Sequence, residues 1–173
     1  MSAGITYHHS LESAWESVSR SIKHQMESRG YRAANELRNA SQLVLRGQRH
    51  GRRYIVPGTG RVTYYRRNTG KHKAGTATIT YKHYTASAPG EPPAVRLGHF
   101  RLSWHPKTFV ESPNGEYSVV SQVESTLKTE KGNHLLGEIL EYGTDRMAPR
   151  PHQERIQEKA LPAIKRIYNE PYE

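Results

Sequence analysis

From Leu11 onward, apolar residues return every three or four positions: Leu11, Trp15, Val18, Ile22 and Met26 lie 4, 3, 4 and 4 residues apart. That period places all five side chains on one face of an α-helix. Ser10 stands where an N-cap belongs, and Glu12 suits the positive end of the helix dipole. Gly30 interrupts the stripe and offers a place to bend. Ala33, Ala34, Leu37, Ala40 and Val44 then resume it, and Gly47 is placed to close it. The spacing predicts one long helix, Leu11 to Arg46, whose stripe is a core face and whose small alanines admit close packing.

Gly and Pro punctuation from Gln48 to Pro93 excludes continuation of the helix. Thr76, Thr78 and Thr80 alternate with Ala77, Ile79 and Tyr81, a strand pattern. Arg61 to Arg67 is its expected hairpin partner, with the turn near Asn68-Thr69-Gly70, and Ser87 to Pro93 reads as an extended, proline-stiffened loop. Strands are expected over Leu97 to Trp104 and Tyr117 to Glu124, with Ser112-Pro113-Asn114-Gly115 turning between them. A short helix, His134 to Tyr142, should end at Gly143, and a last helix should run from Pro151 to about Asn169, kinked or split at Pro162. The order implies an α+β fold: a long N-terminal helix and C-terminal helices packed on a small antiparallel sheet. A length of 173 residues suits a single domain, 1–173, with 48–93 as an extended basic arm within it.

Charge is distributed unevenly. Residues 1–50 hold 7 Lys/Arg against 4 acids (+3), residues 51–110 hold 11 against Glu91 alone (+10), and residues 111–173 hold 8 against 11 (−3). In the arm, Arg52, Arg53, Arg61, Arg66, Arg67, Lys71 and Lys73 interleave with Tyr54, Tyr64 and Tyr65. Cations neutralise phosphates and tyrosines stack on bases. The same surface equally fits the acidic third of a neighbouring copy, where head-to-tail contact between unlike patches builds rings, or is a solvated loop whose charge keeps the chain soluble.

Other chemistry finds little support. With no cysteine, a disulfide scaffold and a thiolate zinc site are excluded. Ten histidines invite a metal reading, but none pairs at HExxH spacing and no carboxylate cluster accompanies them. Asp145 is the sole aspartate, no GxSxG elbow is present, and the glycines match no phosphate-binding loop. The expectation is a protein with no catalytic residue, metal or cofactor. Met1 to Ser10 lacks the basic start and apolar run of a signal peptide, and no stretch has the length of a membrane span. A soluble protein made in a cytoplasm is expected.

Two segments carry a resemblance: "ASAPGEPPAVRLGHFRLSW" (86–104) and "EYGTDRMAPRPHQERIQEKALP" (141–162). Together they resemble the Hong Kong 97-type gene-product-ten-like family of tailed-phage tail components, also described as tail-completion or head–tail joining proteins. Members carry a helix, a Pro-Val-Asp-Thr-Gly-x-Leu strand entry and, near the end, Glu-Tyr/Phe-Gly-Thr, five residues, then Arg-Pro-Phe before a final helix. Glu141, Tyr142, Gly143, Thr144, Arg150 and Pro151 match the second motif; Ala94, Val95, Gly98 and Leu102 echo the first. Arg96-Leu97 replaces the family's Asp-Thr, and His152 its Phe.

The resemblance implies a structural virion protein of the neck or tail top, made in the host cytoplasm. It implies a six-fold or twelve-fold ring of copies that meets the adaptor, stopper and tail terminator, with the DNA end in the channel and no membrane. On this reading Tyr142 to Pro151 is a rigid surface turn that fixes the last helix, with Arg146 and Arg150 facing a partner subunit or Glu141. The alternative is a small basic nucleic-acid-binding protein.

Overall fold

A computed structural model describes residues 11–64, 77–129 and 132–172. The fold is α+β. Helix α1 (Leu11–Arg46) is followed by four short strands, β1 (Arg53–Ile55), β2 (Arg61–Tyr64), β3 (Ala77–Thr80) and β4 (His83–Thr85). A helical turn, α2 (His99–Leu102), leads to β5 (Trp104–Glu111) and β6 (Ser118–Ser125), then α3 (Leu136–Tyr142) and α4 (Gln153–Tyr168). The strands pair two by two, β1 with β4, β2 with β3 and β5 with β6. The chain divides into two compact units.

The first unit comprises the chain to Asn39, His105–Glu124 and the end from Ala160. Here α1 runs unbroken through Gly30, and packing explains the glycine. A Cβ at residue 30 would stand 2.4 Å from Val119 Cγ1 and 3.0 Å from Thr108 Cγ2, so the helix backbone lies directly on the β5–β6 hairpin. Ser121 Oγ donates to the Gly30 carbonyl at 2.8 Å, and the Tyr117 hydroxyl donates to Glu27. That carboxylate holds the Tyr117 phenol above its ordinary pKa. The hairpin turns at 113–115, where Asn114 (φ 56) and Gly115 (φ 84) take the left-handed conformations such a turn requires.

Ala33, Ala34, Ala160 and Ile167 are buried in this unit. Buried Arg29 donates to the Pro171 carbonyl at 2.6 Å and lies 3.8 Å from the Tyr172 ring centre, while Arg32 pairs with Glu170. The C-terminal segment is therefore held to α1 by two arginines. The first turns of α1 differ from expectation. Trp15 is 74% exposed, Val18 52% and Ile22 37%, so this part of the stripe is not a core face. The apolar period sets the helix, but burial begins only where the hairpin lies against it.

The second unit comprises Ala40–Trp104 and Ser125–Lys159. Leu45, Ser41, Val56, Trp104, Ile156 and His152 are buried in it. Arg49 closes α1 by donating to the Val44 carbonyl (2.9 Å) and to Pro93 (3.1 Å). It thereby satisfies one of the carbonyls that a helix end leaves open. Burial draws the Arg49 pKa below its ordinary value.

Two expectations are corrected. Leu97–Trp104 is not a strand: Gly98 at φ 89 breaks the chain into a helical turn, and the strand begins at Trp104. Pro162 does not split α4, which runs on through it to Tyr168. It lies exposed, where the Glu158 carbonyl it leaves unpaired meets water. No helix among the described residues is long and apolar enough to cross a membrane.

Candidate functional site

The basic arm is a two-stranded antiparallel ribbon. Arg53 faces Thr85, Tyr54 faces Tyr84 and Ile55 faces His83; beyond an interruption, Arg61 faces Thr80, Val62 faces Ile79, Thr63 faces Thr78 and Tyr64 faces Ala77. The interruption holds residues 57–60 on the outgoing strand against Tyr81 alone on the return. Pro57 cannot donate to a ladder, and Thr59 bridges the gap instead: its hydroxyl donates to the Val56 carbonyl (2.6 Å) and accepts from the Lys82 amide (3.1 Å).

Arg52, Arg53 and Arg61 are exposed on this ribbon. The Arg52 guanidinium lies 5.7 Å from the Tyr54 ring centre, and Tyr54 stacks on Tyr84 at 5.8 Å. Arg52, Tyr54 and Tyr84 thus form a cationic and aromatic patch. Tyr65, Arg66, Arg67, Lys71 and Lys73, with the expected turn at 68–70, lie outside the described residues.

The second predicted site is the turn after α3. Gly143 ends that helix at φ 78, where a Cβ would sit 2.6 Å from the Met147 carbonyl oxygen. The turn closes through reciprocal Thr144–Met147 backbone bonds of 2.9 and 3.0 Å, and the Arg146 amide donates to the Thr144 hydroxyl (3.3 Å). The Arg150 amide returns to the Leu140 carbonyl at 2.8 Å. Tyr142 projects into solvent, and Pro151 is half-buried ahead of α4.

Glu141 and Arg150 do not meet each other, so of the two facings expected for Arg150 the one toward Glu141 is corrected. Glu141 Oε2 accepts from the amides of His152 (2.9 Å) and Gln153 (3.3 Å) and lies 2.7 Å from His152 Nδ1. It caps α4 from the end of α3, supplying a negative charge where the helix dipole favours one. Arg150 instead donates to the carbonyls of Ser87 (2.5 Å) and Ala88 (3.2 Å).

These bonds join the two motif segments. The Gly90 amide donates to the Pro149 carbonyl (3.2 Å), and Arg155 donates to the Gly90 carbonyl (3.1 Å). His152 is fully buried, with its ring edge-on to Phe100 (5.5 Å) and Trp104 (5.7 Å). Its Nδ1 faces both Glu141 and the Arg150 carbonyl (3.0 Å), so that nitrogen carries a proton. Nε2 is buried with no partner among the described residues.

Glu91 completes the module. It accepts from the amides of His50 (3.1 Å) and Ala88 (2.8 Å) and lies 2.6 Å from His50 Nδ1. The His50 side chain first, and the two amides next, hold its pKa down at about 2.

Sequence reading missed His152 as a core residue, the carbonyls that Arg150 serves, and the Glu91 clasp. No local pattern announces a bond spanning forty to sixty residues. Among the described residues, no three His, Asp or Glu side chains gather as a metal would require. Comparison with protein-family models, curated proteins and solved structures returned no match.

Proposed function

We propose that this chain is a structural component of a tailed-phage particle, acting at the neck or tail top as a ring-forming tail-completion or head–tail joining protein. One observation carries the reading. The two segments that resemble the tail-component family, far apart in sequence, interlock through Arg150, Pro149, Arg155 and the His152–Phe100–Trp104 cluster. The motif residues act on backbone carbonyls and a helix terminus, which is architectural work and supports an assembly role over catalysis. The strongly basic middle and the acidic last third supply unlike surfaces for head-to-tail contact between copies. Its partners are then further copies in a six-fold or twelve-fold ring, and the adaptor, stopper and tail terminator on either side.

Quantitative mass spectrometry of purified particles, scaled to the portal, tests this. Roughly six to twelve copies per particle is the expected count for a closed ring. Absence from particles would sink the proposal. The exposed Arg52, Arg53 and Tyr54 surface would then favour the second reading, a basic nucleic-acid-binding protein.

A further inference from the structure

A groove of about 740 Å³ opens in the second unit. Its walls include Leu45, Leu97 and Leu127, and its charged lining includes Arg96, Arg101 and Lys128. No Asp or Glu among the described residues lines it. No carboxylate among those residues pairs with any of the three cations, and Arg101 Nε is buried without a partner. A groove with mostly apolar walls, cations in its lining and no acid among the described residues suits an apolar, anionic occupant.

The same chain carries such a segment. At the start of α1, Trp15, Val18 and Ile22 form an exposed apolar stripe. Glu12 and Glu16, one turn apart, flank Trp15, while Arg20 and Lys23 lie further on beside Ile22, so the acidic end of the stripe is its Trp15 end. Large apolar side chains repeated at i, i+3 and i+7 with acids alongside are the recognition pattern of a helix that lies in a groove.

We propose that the first turns of α1 from one copy, led by Trp15, dock into the Leu45–Leu97–Leu127 groove of a second copy, with Glu12 and Glu16 meeting Arg96, Arg101 and Lys128. The inference rests on the ring-forming reading and names its contact. The contact is head-to-tail, so it propagates around a ring instead of closing a dimer.

The full-length chain tests this directly. Trp15 and Trp104 are its only tryptophans, one exposed and one buried, so a concentration-dependent blue shift in emission reports Trp15 leaving water. The chain has no cysteine, so Ala14→Cys paired with Val95→Cys gives an unambiguous cross-link. Expected are a blue shift that tracks oligomer formation and a cross-linked ladder extending beyond dimers. Trp15→Ser should leave the circular dichroism unchanged and weaken association by about 30-fold, the loss typical of a buried aromatic anchor.

Oligomers whose Trp15 emission stays solvent-like would overturn the docking and leave the ring reading standing. Cross-links only between two Ala14→Cys positions would mean stripe-to-stripe pairing and would also overturn it. So would a blue shift that appears only with added duplex DNA. A chain that stays monomeric throughout sinks the docking, while the ring reading is judged separately by its copy number in particles.

Discussion

His152 concentrates the chemistry of the motif turn in one side chain. It is fully buried between two aromatic rings, its Nδ1 proton is held by Glu141 and a carbonyl, and its Nε2 has no partner among the described residues. An orphaned buried nitrogen is costly, whereas the ring itself fills space. Replacement by alanine should remove both ring and contact and destabilise the fold by about 2–4 kcal/mol, as truncation of a large core side chain does. Phenylalanine keeps a ring and deletes the orphan. Glu141 still caps α4 through the amides of residues 152 and 153. His152→Phe should therefore cost less than about 1.5 kcal/mol. Urea denaturation followed by circular dichroism orders the two variants. Equal losses would mean that the Glu141–imidazole contact, not the packed ring, carries the position. The sequence marked His152 as a departure from a motif but gave no sign of its burial, because the rings around it come from a segment fifty residues earlier.

At the scale of elements, periodicity was a reliable guide to helices and a poor one to loops. The limits of α1 match the apolar spacing, and Gly143 ends α3 as expected, because both features are local. Leu97–Trp104 alternated like a strand, yet a left-handed Gly98 decided otherwise. Of the two ribbon ladders only β2–β3 was legible; β1 and β4 are three residues each and separated from it by Pro57.

The 87–93 loop was expected to be extended. It holds a turn at 89–90, closed by the Glu91 amide on the Ala88 carbonyl, and Glu91 ties it down through two amides and His50. This clasp is testable by pH. Glu91 titrates at about 2 in the fold against 4.5 for a free carboxylate, so its depressed pKa contributes stability that is present above about pH 4.5 and fades as pH falls toward 2. The carboxylate is 22% exposed, so the effect should be local and partly screened by solvent. The protection factor of the Ala88 amide, its exchange rate corrected for the intrinsic pH dependence of an amide, should fall across that window in the wild type. In Glu91→Gln it should be lower at neutral pH and should not change with acid. A wild-type amide that stays protected down to pH 2 would show that Arg150 and Arg49 hold the loop without Glu91.

Across the whole molecule, charge is the property most visible in the sequence and least explained by folding. Arg52, Arg53 and Arg61 stand exposed on a ribbon only two strands wide, which buries too little to require them for stability. Contact with something anionic would give them a use. If that partner is the acidic third of a neighbouring copy, association of the full chain should weaken steadily as salt shortens the Debye length from about 10 Å at 0.1 M to about 3 Å at 1 M. Replacing all three arginines with serine should leave the circular dichroism intact and flatten that salt dependence, as sedimentation would report. Added duplex DNA should then leave the wild-type oligomers unchanged. If the partner is nucleic acid, the order reverses. The wild type should bind duplex with log K falling by about 0.9 per neutralised phosphate for each decade of salt, the triple variant should lose up to three such contacts, and self-association should ignore both changes. The two partners therefore separate on one pair of proteins and one salt series, and the second outcome would move the ribbon from the ring contact to the genome.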